Sequence, residues 1–133
     1  MTRVWILVAS VLLWATAALA QDPVKVDPKH YKVEFENAQV RVLRIHFGPH
    51  EKSVMHSHPG SVATFLTDGK VRFTYPDGKS EDLTSKAGEA RWNNAYAHLP
   101  ENTGDKAFEL ILVEVKGKAA AAKAPAKKAP PKK

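Results

Sequence analysis

Residues 48–69 read GPHEKSVMHSHPGSVATFLTDG, and at their centre His56 and His58 stand either side of Ser57. Gly48-Pro49 and Pro59-Gly60 break the chain around short β-branched and apolar runs, which makes strands the natural reading. On a strand, side chains at i and i+2 project from one face. Two imidazoles side by side can chelate one metal ion. A third histidine, His98, lies in a second glycine-led segment, residues 88–102, GEARWNNAYAHLPEN. Brought in from a distant strand, it would complete a facial set of ligands for a metal-binding β-barrel.

The same patterning extends outward. Residues 31–35 alternate Tyr31, Val33 and Phe35 with Lys32 and Glu34, as in a half-buried strand, and Glu36-Asn37 forms a turn. Residues 40–47 predict a longer strand whose alternation slips between Val42 and Leu43, the mark of a bulge. Residues 53–58 and 62–67 are strands, and Asp68-Gly69 reads as a tight hairpin turn. Val71, Phe73 and Tyr75 alternate up to a second turn at Pro76-Asp77-Gly78. Gly88 turns the chain into residues 90–92. Residues 108–115 are apolar on both faces, which predicts burial on both. No capped stripe of period 3.6 occurs between Gln21 and Val115, so the fold class is all-β, a sandwich or barrel.

The chain's ends differ from its middle. Thr2-Arg3, the apolar run 4–15 and Ala18-Leu19-Ala20 fit a signal peptide over residues 1–20, an uncleaved anchor being the alternative. Export to the periplasm or the medium follows. Residues 21–30 are a proline-bearing lead-in, and 31–115 form the domain. Residues 116–133 carry seven lysines, three prolines and no acid, so a disordered Lys/Ala/Pro-rich tail is expected. Of the formal +6, Arg3 contributes +1 and the tail +7, leaving −2 for residues 21–115. The basic charge belongs to the tail, a solvated spacer or an electrostatic contact with an anionic envelope surface. Nucleic acid is not an expected partner. Without cysteine there is neither disulfide framework nor thiol chemistry. Nucleophile elbow, phosphate-cradling loop and paired carboxylates are all absent from the sequence.

These residues resemble the cupin superfamily. Its first motif is a glycine, a spacer, His-x-His, a Glu after three or four intervening residues and a closing glycine. Gly48, His56, His58 and Gly69 stand in those places. Its second motif runs from a glycine to a histidine and an asparagine, as do Gly88, His98 and Asn102, with the spacing to the histidine one residue short. The resemblance spans roughly residues 31–115 and is nearest to small, single-domain, exported bacterial cupins. It implies a cupin-type jelly-roll β-barrel with a metal site inside, and dimers. The motif's Glu falls at 62 or 63, where this chain has Val62 and Ala63. The remaining three-histidine set resembles the ligands of some thiol-oxidising cupins. Imidazoles suit a divalent transition metal, Fe, Zn, Cu or Ni, better than Mg²⁺ or Mn²⁺, and leave two or three coordination positions open.

Glu101, three residues past His98, is a substitute ligand or base, and Glu51 a weaker one. His50 and His46 read as solvent-facing, and His30 has no visible partner. Trp92, Phe65, Phe73 and Tyr75 read as core rather than as a ligand-binding lining. Two function classes stay open: a metal-dependent enzyme of oxygenase or isomerase type acting on a small organic molecule, and a non-catalytic small-ligand-binding barrel with no metal. Surplus apolar strand surface predicts a homodimer built on sheet packing.

Overall fold

A computed structural model describes residues 21–117; the expected signal peptide, residues 1–20, and nearly all of the lysine-rich tail lie outside the described residues. A one-turn helix, α1 (Pro23–Val26), is capped by Asp22, whose side chain accepts from the Val24 amide. Nine strands follow: β1 (Tyr31–Glu36), β2 (Val40–Phe47), β3 (His56–His58), β4 (Ser61–Phe65), β5 (Gly69–Thr74), β6 (Ser80–Ser85), β7 (Ala90–Asn93), β8 (Tyr96–Asn102) and β9 (Phe108–Val115). They form two sheets, ordered β1-β2-β9-β4-β7 and β3-β8-β5-β6. The expected all-β jelly roll is the observed architecture.

The inner face of the larger sheet is built in rows. Leu43, Leu112 and Ala63 lie side by side across β2, β9 and β4, and Ile45, Leu110 and Phe65 form the next row. All six are buried, with Phe47 and Phe108 beyond them. At the other end the same inward periodicity sets Arg41, Glu114 and Ser61 in register. The core face thus ends in a polar row.

Several local expectations need correction. The irregularity at Val42–Leu43 is a bulge, but the extra residue is in β1: Val33 faces Leu43 and Phe35 faces Val42, leaving Glu34 over. Beyond it Phe35 turns to the outer face, so β1 buries only Tyr31. Asp68-Gly69 is not a hairpin turn, because β4 and β5 belong to different sheets. Asp68 instead accepts from the Ala87 amide and the Lys86 ammonium, and Gly69 lets the chain cross against Phe108. A Cβ there would lie 3.2 Å from Phe108 Cβ. The Pro76–Gly78 hairpin does form, with Gly78 at φ 83°. β9 is buried on its inner face only; Ile111 and Val113 on the other side are half-buried. Trp92 is exposed rather than core, and Tyr75 is half-buried; Phe65 is buried and Phe73 packs against the core.

Candidate metal centre

β3 and β8 pair antiparallel with His56 opposite His98 and His58 opposite Tyr96. Cross-strand partners stand closest of all sheet neighbours, and i, i+2 positions share a face, so the register alone gathers three imidazoles. Their candidate ligand atoms all lie within 4.8 Å of one another, and all three residues are buried. His98 is wedged edge-on between Phe73 and Tyr96, with ring centroids 4.4 Å from each. Tyr31 packs against His56 from the other side.

The hydrogen bonds settle which nitrogens are free. His56 Nδ1 is 2.8 Å from the Val54 carbonyl, which can only accept, so Nδ1 carries the proton. His58 Nδ1 is 2.7 Å from Glu114 Oε1, again an acceptor. The two Nε2 atoms then face each other at 3.0 Å. Two lone pairs cannot sit so close unless a cation, a proton or a metal ion, lies between them. The spacing is also roughly that of two nitrogens bound at about 2.1 Å to one metal at a right angle. Both ring nitrogens of His98 are buried with no hydrogen-bond partner. Orphaned buried nitrogens are costly, and a metal relieves one of them.

Burial, with lesser contributions from His58 and His56, pushes His98 down to about 2. Burial and then His58 lower His56 to about 4, against the Val54 hydrogen bond. Both rings are therefore neutral at physiological pH, the form that ligates. Glu114 is buried and ion-paired to Arg41, 2.6 Å from Oε2 to Nε. Burial raises its pKa, but the hydrogen bonds from His58 and Arg41 outweigh it and hold the carboxyl below its ordinary value. Arg41 also reaches Asp22, at 3.1 Å.

A cavity of about 70 Å³ adjoins the imidazoles. His58, His98, Tyr31 and Tyr96 line it together with Phe65, Leu110 and other apolar residues. At about 30 Å³ per water, space of that kind holds roughly two or three waters, hence only a very small ligand. Burial drives the phenols of Tyr31 and Tyr96 upward, so both stay protonated.

No protein-family model matches the sequence, and no curated protein does. Solved structures do. A cupin domain from Bordetella pertussis superposes with a TM-score of 0.61 at 24% identity, over 65% of this chain and 92% of that one. A conserved protein with a double-stranded β-helix domain from Klebsiella pneumoniae gives 0.54 at 24%, over 67% and 77%. A cupin 2 conserved barrel domain protein from Salinispora arenicola gives 0.52 at 18%, over 69% and 78%.

The chain has the cupin fold.

Within this cupin barrel the three expected histidines come together, and the two substitute acids do not join them. Glu101 sits on β8 between the inward Pro100 and Asn102 and turns out towards Lys52. Glu51 is committed to Lys29, His30 and the Gly48 amide. Val62 is half-buried on the outer side of β4; the inward residue is Ala63, which lines the cavity. A ligand at the motif's Glu position therefore belongs at 63. His46 and His50 are exposed as expected, His50 beside Asp105. His30 does have partners: it is buried, stacked on Phe47 and bonded to Asp27 and Glu51, pinning the lead-in to the barrel. Asn102 donates to the Gly48 and Lys106 carbonyls and accepts from the Gly104 amide, a structural role. Sequence reading missed Glu114 and Arg41. The signal was there: Phe108, Leu110 and Leu112 set the inward face of β9, and period 2 puts Glu114 on it.

Proposed function

We propose that this cupin barrel binds one divalent transition metal through Nε2 of His56 and His58 and a ring nitrogen of His98. The facing Nε2 lone pairs at 3.0 Å carry the reading. All-imidazole ligation fits Fe, Zn, Cu or Ni. Such an ion would supply Lewis-acid or redox chemistry at coordination positions open towards the cavity. The chain's own residues orient and desolvate a small, largely apolar molecule there, with the rings of Tyr31 and Tyr96 among its walls. Among the described residues no free carboxylate lines that cavity. Any oxygenase or isomerase activity on a small organic molecule would thus depend on the ion rather than on a side-chain base.

Elemental analysis of protein purified without chelator tests this. About one transition metal per chain is expected, lost in the His56→Ala/His58→Ala double variant. Equal, substoichiometric metal in both would leave a metal-free ligand-binding barrel. Oxygen uptake by the Fe(II)-loaded protein with small thiols and diols separates catalysis from binding. The proposal extends to export, which intact-mass analysis of protein from an envelope fraction tests by the loss of residues 1–20, and to a homodimer.

A further inference from the structure

We propose that Glu114 supplies, from behind His58, the negative charge that the His-x-His motif lacks in this chain. The inference rests on the metal reading above. At the position expected for the motif's acid, the inward residue is Ala63, whose methyl group cannot ligate. One strand over, β9 pairs with β4 so that Glu114 stands beside Ser61, two residues from Ala63 on the same inner face.

Glu114 is spoken for at both oxygens. Oε1 accepts from His58 Nδ1 at 2.7 Å, and Oε2 accepts from Arg41 Nε at 2.6 Å. Direct coordination would break one of these bonds inside the protein. Acting through the ring costs nothing of the kind. A carboxylate on Nδ1–H fixes the tautomer, locks the ring plane and raises electron density at Nε2, the atom that faces His56. Three neutral imidazoles leave a divalent ion's charge unrelieved. Glu114, Arg41 and Asp22 together contribute a net single negative charge next to it. Glu114 itself is buried, so little water screens the carboxylate that faces His58. Glu114 is therefore a positioning residue.

The test is titration of the chelator-stripped protein with Zn²⁺ against a competing chelator, and with Co²⁺ followed by its visible spectrum. Glu114→Gln keeps the shape and an acceptor for Nδ1–H but removes the charge. It should weaken Zn²⁺ binding about 10- to 100-fold at unchanged stoichiometry. Arg41→Gln disturbs the same buried pair but leaves the carboxylate, and should keep the wild-type affinity to within a few-fold. A merely structural role would weaken both variants alike. Ala63→Glu, which restores a carboxylate beside the imidazoles, should recover affinity in the Glu114→Gln background. Equal binding by wild type and Glu114→Gln overturns this inference alone; a wild type that takes up neither ion overturns the metal reading with it. If Glu114→Gln does not fold, an Arg41→Gln protein that folds yet loses affinity overturns the charge argument.

Discussion

At Ala63 the barrel offers a fourth ligand position that the sequence leaves vacant. The side chain points inward beside Leu112 and lines the cavity that His58 and His98 also line, whereas Val62 next to it points out. Ala63→Glu should therefore tighten Zn²⁺ binding at least 10-fold, and Val62→Glu should leave it unchanged; isothermal titration distinguishes the two. The motif spacing allowed either residue, and only the register of β4 chooses. His56 and His98 lead to a second expectation at this scale. Burial holds both below the 6.5 of an unfolded histidine, to about 4 and about 2. As pH falls, the unfolded chain takes up protons before the folded one. The stability due to these groups is complete above about 6.5 and drains away as pH drops towards 4, where His56 begins to protonate in the fold. Urea unfolding of chelator-treated protein should show a lower midpoint at pH 5 than at pH 7.5. An unchanged midpoint would mean that the rings are not buried neutral.

Among the elements, β8 does most to build the site and was the least legible. Its sequence, YAHLPEN, holds a proline and an asparagine, both poor strand formers. Pro100 is tolerated because β3 stops pairing at His98: beyond it β8 pairs with β5 on one side and meets only the Lys52–Glu101 bridge on the other, where Pro100 accepts from the Ser53 amide at 2.9 Å. β6, SEDLTS, escaped notice for a different reason: it is polar and largely exposed, with only Leu83 and Ser85 turned in. The His-x-His strand and the apolar strands β2, β4 and β9 were readable, because period 2 and β-branching both mark them. What no local pattern can carry is which strands pair, and that pairing brings His98 opposite His56. Asn102 anchors the far end of β8. Asn102→Ala would leave the Gly48 and Lys106 carbonyls and the Gly104 amide without their partner in a half-buried place. It should cost roughly 2–4 kcal/mol by denaturant unfolding. A loss below about 0.5 kcal/mol would show that the loops rearrange freely.

For the whole molecule, the unexplained feature is the outer face of the larger sheet. Phe35, Val42, Val113, Val62 and Trp92 are in register across β1, β2, β9, β4 and β7, one residue per strand. The end residues are the most open, Phe35 at 54% and Trp92 at 59% exposure. At the usual strand spacing the row is about 19 Å long. Two of its five residues, Val113 and Val62, come from the stretches 108–115 and 62–67, whose sequences are apolar on both faces. The proposed homodimer has a natural seat here. Val113 lies on the central strand, and a two-fold axis beside it would lay Phe35 over Trp92 of the partner subunit, and Trp92 over the partner's Phe35. An isologous contact needs such self-complementarity, and the row is apolar from one end to the other. The described domain also lacks the strong net charge that would hold two copies apart, since residues 21–117 carry a formal −1 and six of the tail's seven lysines lie beyond them. Light scattering on residues 21–117 at tens of micromolar should give the mass of two chains. Val113→Glu sets two like charges against each other at the axis and should give one chain, with the β-dominated circular dichroism and the Zn²⁺ affinity intact, because the histidines lie on the opposite, inner side. A wild type with the mass of a single chain would end the dimer proposal, and a Val113→Glu protein that stays dimeric would move the interface off this face.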